Sequence, residues 1–280
     1  MRLFHPLSAS IGLRYTAAKR RNHFISFISL VSMLGIALGV AALIIVISVM
    51  NGFELELRSR ILGMVSHATI TEPGANLKDW PRVAEAARQN PEVVGAAPYI
   101  EREGMLQSKR ISGVMIRGVV PELEASVSEV TGKMQQGEFG SLVSGEYHIV
   151  LGSELAYLLG VRVGDYVTLM APQVRATPVG VIPQMRRFQV TGIFEVGMFE
   201  YDRGFAFVHI EDAAKLFREG GGVSGVRLKL KDMFKAWRVA TDVGTSLGED
   251  YRVSDWTQQN VNFVRAVKTE KFVMFTILSL

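Results

Sequence analysis

From Phe24 to Met50 the chain reads FISFISLVSMLGIALGVAALIIVISVM, 27 residues without an Asp, Glu, Lys or Arg. As a helix this run rises about 1.5 Å per residue and spans roughly 40 Å, more than the roughly 30 Å of a hydrocarbon core. A core helix of a globular domain keeps charge on its outward face over such a length. The stretch therefore predicts a membrane-spanning helix. It is too long for the apolar region of a cleaved leader, and no Ala-x-Ala follows it directly.

The flanks set the orientation. Residues 1–23 carry Arg2, Arg14, Lys19, Arg20 and Arg21 and no acid. Cationic flanks stay on the cytoplasmic side, so the N-terminus is expected inside and the chain after Met50 outside. The far end repeats the theme: Phe272 to Leu280, FVMFTILSL, is apolar and is where the sequence stops. Nine residues do not cross a bilayer as a helix, so a second membrane helix cut short is expected here.

The segment between, Asn51 to Glu270, is ample for a core of its own. The pI of about 9.3 invites a nucleic-acid reading. However, all 27 acidic residues fall in 51–270 against 25 of the basic ones, so this segment is close to neutral. The basic excess comes mainly from the N-terminal flank, where topology accounts for it, and nucleic acid is excluded as a partner. Cysteine is absent, which removes disulfides and thiolate chemistry and leaves the outer domain to be held by its apolar core.

Helical periodicity continues past the membrane. In NGFELELRSRILG (51–63) Phe53, Leu57 and Ile61 share a face, and Glu54–Arg58 and Glu56–Arg60 are i,i+4 pairs with the acid first. A stalk over 51–64 of about three turns is expected, with Gly63 as its stop. Within the membrane run Gly35 and Gly39 form a GxxxG, either a close helix contact or the ordinary glycine content of membrane helices. The body then reads as an α+β domain over 65–255. Strands are expected at 65–71, 93–98, 99–108, 111–120, 148–151, 166–171, 187–195, 203–210, 226–231 and 251–254. Helices are expected at 80–90, 121–133, 153–159 (capped by Ser153 and ended by Gly160), 211–218 and 233–247. From Trp256 the pattern is helical again, a second stalk over 256–271 that leads into 272–280.

Residues 172–187, PQVRATPVGVIPQMRR, interrupt this pattern. Pro172, Pro178 and Pro183 with Gly180 argue against regular sheet pairing through the middle. Arg175, Arg186 and Arg187 face no acid between Tyr166 and Phe194. A stiff, basic excursion is expected to project from the domain. On residues alone it is a surface loop or a docking element, the former being the commoner case.

Chemistry-bearing motifs are missing. There is no GxxxxGK[ST], no HExxH, no GxSxG and no metal-ligand spacing among the five histidines. GGGVSG at 220–225 fits GxGxxG only formally, because it follows a helix and precedes a strand. No catalytic residue and no metal site is assigned.

Three stretches together resemble a known family. IGLRYTAAKRRNHFISFISLVSMLGIALGVAALIIVISVMNGFELELRSRILGMVSH, IVLGSELAYLLGVRVGDYVTL and FVRAVKTEKFVMFTILSL are similar to the start, the core periplasmic segment and the second stalk of LolC/LolE-type subunits of lipoprotein-releasing ABC transporters. The resemblance implies an α-helical membrane protein of the bacterial inner membrane, multi-pass, with a large α+β periplasmic domain between its first two helices. It implies no bond-making chemistry and no cofactor in this chain, ATP being bound by a cytoplasmic ABC ATPase. The other implied partners are a second LolC/LolE-type subunit or a second copy, a periplasmic lipoprotein carrier, and lipoproteins.

The resemblance also bears on the proline stretch. ATPVGVIPQMRRFQVTG (176–192) is similar to the hairpin hook by which LolC-type subunits recruit the carrier, a feature LolE-type subunits lack. This marks Arg175, Thr177, Pro178, Val179, Gly180, Val181, Ile182 and Pro183 as partner-binding residues. Met50, Phe53 and Leu57 are the candidate path for acyl chains, with ordinary helix packing as the alternative. A MacB-like efflux or export permease, an FtsX-like signalling subunit and a membrane-anchored enzyme are the competing readings.

Overall fold

The structure is a computed structural model that describes residues 23–64, 66–177 and 180–259, and beyond them only 265, 269, 272, 273 and 276. It divides into two compact units, Met1–Leu55 and Glu56–Leu280.

The first unit contains most of α1 (His23–Met64), a single helix of 42 residues. Its span Phe27–Gly52 has a mean hydropathy of 2.9 with none of its most apolar window buried, and among the described residues it is the one helix long and apolar enough to cross a membrane. A soluble helix with this composition would leave its side chains in water at about 25 cal/mol per Å². The helix runs unbroken from the membrane stretch into the expected stalk and ends at Met64, one residue past Gly63.

In the second unit the elements are β1 (Ala68–Thr71), α2 (Trp80–Arg88), β2 (Val93–Gln107), β3 (Ile111–Val119), α3 (Pro121–Glu124), β4 (Met134–Gly137), β5 (His148–Gly152) and α4 (Ser153–Leu159). They continue with β6 (Tyr166–Thr177), β7 (Gly180–Phe194), α5 (Phe199–Gly204), β8 (Phe205–His209), α6 (Ile210–Phe217), β9 (Gly225–Leu230), α7 (Ala236–Leu247), β10 (Arg252–Asp255) and α8 (Trp256–Gln259). The ten strands form one sheet in the order β10-β1-β9-β2-β3-β8-β5-β7-β4, with β6 bonded to both β2 and β7.

That order contains two substructures. β10-β1-β9-β2 is antiparallel throughout, and its chain order, β1-α2-β2 then β9-α7-β10, is that of a ferredoxin-like split βαβ. Between its halves, β2-β3-β8-β5-β7-β6 returns to β2 and closes a six-stranded barrel. Closure removes the open edges that the long strands β2 and β6 would otherwise present. Leu106, Ile116, Ile149, Leu151, Leu169, Phe188, Val190 and Val208 are wholly or almost wholly buried within it. On the outer side of β5, β7 and β8, Val150, Phe194 and Phe207 form a second cluster with Phe139 and Leu142. Strands covered on both faces explain the near-continuous apolar runs HIVLG and FAFVH.

Several expectations are corrected. The two strands expected at 93–98 and 99–108 are one: at Tyr99 β2 changes partner from β9 to β3 without turning. The helix expected over 121–133 stops at Glu124. There Ser126 donates to the Leu123 carbonyl at 2.6 Å and Ser128 Oγ accepts the Val130 amide at 3.3 Å, local bonds that compete with helix propagation. Ser153 is the first helical residue and not the cap, which is Gly152. A Cβ on Gly152 would stand 2.1 Å from the Asp202 carbonyl oxygen, so only glycine fits. Gly160 ends α4 in the left-handed region at φ 66°, as expected. Strand β4 and helix α5 had no counterpart in the sequence reading. The second stalk is described continuously only to Gln259; within it Thr269 donates to the Arg265 carbonyl, and in the apolar segment beyond it Thr276 donates to the Phe272 carbonyl, each at 2.9 Å.

Candidate functional site

The proline stretch is a hairpin, and here the expectation of broken pairing fails. β6 leaves β2 after Met170, and β7 pairs with β5 only from Gln189 onward. Between those limits β6 and β7 pair chiefly with each other, with Ala171↔Gln184, then Val174↔Pro183, Arg175↔Ile182, Ala176↔Val181 and Thr177↔Gly180. The register shift between Ala171 and Val174 places Pro172 and Gln173 as extra residues, a bulge that removes the need for a proline N–H. Both strands of a two-stranded ribbon are edges, so Pro183 is tolerated where a central strand would reject it. Pro178 and Val179, between the last pair, lie outside the described residues, as do the side chains of 173–183.

The root of the hairpin is tied down. The Arg187 guanidinium lies over the Tyr166 ring at 4.0 Å and that of Arg186 over Tyr147 at 4.7 Å. With its amide turned to satisfy both neighbours, Gln184 donates to the Leu216 carbonyl at 2.7 Å and accepts from Arg218 Nε at 2.6 Å. Arg186 and Arg187, part of the basic excursion in the sequence, thus stack at the root and hold it, each such contact being worth about 0.5–1 kcal/mol at an exposed site.

Sequence reasoning missed what lies beside this root. Met105, Met170 and Met185 are successive cross-strand partners on β2, β6 and β7, so they form one row on the outer face of the barrel. Met105 is 47% and Met185 53% exposed. Next to them an open hollow of about 440 Å³ is lined by Met105, Met115, Gly113 and Pro172. Methionine rows adapt their shape to apolar partners. The signal in the sequence was an outward-facing Met on each strand, but only the register puts the three together.

The remaining assigned residues are separate from this site. Gly35 and Gly39 lie in α1, and a Cβ on either would meet nothing within 4 Å in this chain. Met50, Phe53 and Leu57 all fall within α1 at helical spacing, with Met50 partly exposed and the other two side chains outside the described residues. Among the described residues no group of His, Asp or Glu is placed to hold a metal ion.

The profile of the MacB-like periplasmic core domain family matches residues 29–245. The lipoprotein-releasing system transmembrane protein LolC of Xylella fastidiosa strain Temecula1 is 52% identical over 278 residues, 99% of this chain and 67% of that protein. LolC of Neisseria meningitidis serogroup B strain MC58 is 42% identical over 276 residues, 98% of this chain and 66% of that protein. The LolE protein of Haemophilus influenzae strain Rd is 30% identical over 279 residues, 96% of this chain and 66% of that protein. The chain therefore spans about two thirds of the length of these relatives. An apolar spanning helix, an α+β outer domain and sequence identity along nearly the whole chain agree, and the chain belongs to the LolC/LolE-type transmembrane proteins of the MacB-like permease superfamily.

Proposed function

We propose that this chain is the membrane subunit of an ABC transporter that releases lipoproteins from the inner membrane and passes them to a periplasmic carrier. The N-terminus is cytoplasmic and residues 65–255 are periplasmic in a multi-pass protein. A cytoplasmic ATPase partner binds and hydrolyses ATP, and a second LolC/LolE-type subunit or a second copy completes the membrane part. Each CH₂ of a buried acyl chain holds on by about 0.8 kcal/mol, so spontaneous release of a multiply acylated anchor is negligible and the coupling to ATP has a physical reason. Acyl chains would leave along the face of Met50, Phe53 and Leu57, and Gly35 and Gly39 would admit a neighbouring helix.

The observation that carries the reading is the hairpin, which pairs with itself beyond Ala171–Gln184 and stands on a root fixed by Arg186, Arg187 and Gln184. Paired strands and prolines lose little conformational freedom on docking, which favours a recruiting role and a LolC-like assignment. The test is a pull-down with the full chain in detergent against purified periplasmic extract, read by mass spectrometry. Recovery of the lipoprotein carrier is expected. Recovery of an efflux adaptor or a peptidoglycan hydrolase in its place would overturn the proposal in favour of an export permease or a signalling subunit.

A further inference from the structure

Strand β2 belongs to both substructures, and the seam between them is charged. Glu101 on β2 and Arg117 on β3 are direct cross-strand partners, with Arg117 Nε donating to Glu101 Oε2 at 2.8 Å. On the same face of the sheet, one strand over, Arg227 on β9 is the cross-strand partner of Ala97 and donates to Glu124 on α3, with side-chain exposures of 2% and 0%. Arg227 belongs to the split βαβ, whereas Glu124 follows directly on barrel strand β3, so this second pair crosses the seam. The Arg227 guanidinium also faces the Tyr99 ring at 5.9 Å, at the residue where β2 changes partner, and Arg117 lies over Phe205 at 4.8 Å. Burial opposes the Arg117 charge, yet Glu101 and Glu124 outweigh it and raise its pKa, which ties the two pairs into one charged group.

This arrangement is a poor way to gain stability. Arg117 Nη1, Glu124 Oε2 and Arg227 Nε are buried without a hydrogen-bond partner among the described residues. Apolar residues of similar volume would avoid that desolvation. What they would not supply is direction, because an apolar contact permits sliding whereas a buried, hydrogen-bonded ion pair is lost when its partners move apart.

We propose that the Glu124–Arg227 pair, backed by Glu101–Arg117, is a joint that fixes the angle between the barrel with its hairpin and the split βαβ. The chain enters and leaves the split βαβ at one place, where the Trp256 amide donates to the His67 carbonyl at 3.1 Å and the Trp256 indole donates to the Met233 carbonyl at 3.0 Å. A fixed angle carries any displacement applied at that point to the hairpin without absorbing it at the seam. That consequence rests on the function proposed above, but the joint itself does not.

The test uses the full chain in detergent, which has no native cysteine to remove. Spin labels are placed on Glu154→Cys in α4 and Asp242→Cys in α7, both exposed, and the distance between them is read by pulsed electron paramagnetic resonance. The unaltered seam should give one narrow distribution. Glu124→Gln, and separately the apolar pair Glu124→Leu with Arg227→Met, should broaden it at least twofold while circular dichroism remains that of the parent. A distribution in the apolar variant as narrow as the parent's, about the same mean, would overturn the proposal. So would a broad or two-peaked distribution with the seam intact, a result that needs no variant to fold. Neither outcome would touch the carrier pull-down, so failure of the joint and failure of the proposed function remain distinguishable.

Discussion

Replacing residues 172–183 by Asn-Gly separates the hairpin from the fold. Ala171 and Gln184 are cross-strand partners, so a two-residue turn of the Asn-Gly type can close them directly. Four cross-strand pairs are lost, from Val174↔Pro183 to Thr177↔Gly180, in a two-stranded ribbon that is only marginally stable by itself. Against that, shortening the connection from 12 residues to two returns about 1.5 kcal/mol of closure entropy on the logarithmic scaling. The core beneath is untouched, because Leu169 and Phe188 lie inside the barrel at 0% exposure. The net change is therefore expected within about 1 kcal/mol, a Tm shift of about 2–4 °C for a domain of this size. Carrier affinity should fall at least a hundredfold, about 2.7 kcal/mol, because the contacts that dominate a docking interface go with the hairpin. Thermal melting by circular dichroism and titration calorimetry with the purified carrier read the two quantities. A shortened chain that melts like the parent and binds the carrier equally well would reduce the hairpin to a surface loop. A loss of more than about 10 °C would instead mean that the ribbon is part of the fold and that the stability argument fails.

Three further outcomes are expected. With Ser10→Cys and Ser144→Cys in separate chains, an impermeant thiol reagent added to intact spheroplasts should label only the second, and labelling of the first alone would reverse the orientation. A photo-crosslinker at Phe53 in the assembled transporter should capture lipoprotein, whereas capture of transporter subunits alone would assign this face to helix packing. His67 Nδ1 accepts the Leu230 amide at 3.1 Å, and burial first, then Lys229, lower its pKa below the usual 6.5. The unfolded chain therefore binds this proton more readily. The stabilising contribution of the neutral ring is complete above about pH 6.5 and is lost as pH falls from there through the lower folded value. His67→Gln should flatten the fall in Tm between about pH 7 and pH 5, and an unchanged slope would count against this residue.

Residues beside the membrane helix illustrate what local chemistry makes legible. The spanning helix follows from 27 uncharged residues and its stalk from i,i+4 pairing, since both are properties of one continuous segment. The helix 153–159 and its glycine stop were legible for the same reason. The chain at Pro98-Tyr99 was not: nothing local distinguishes a strand that ends from one that changes partner, and β2 does the latter. The hairpin lies between these cases. Its location was plain from Pro172, Pro178 and Pro183, but its pairing was misread, because whether proline breaks a strand depends on which neighbours that strand has.

By itself, the sequence determined that one helix is made for a bilayer, that the outer domain is α+β without disulfides, and where its proline-rich basic segment lies. Only the tertiary structure decided that β2 joins a split βαβ to a closed barrel, that Met105, Met170 and Met185 share one row, and that Glu124 finds Arg227 across 103 residues of chain. The physical reason is range. Hydropathy and helical spacing act within a few turns, whereas strand register, barrel closure and buried ion pairs are fixed by partners that the chain meets only after it has folded.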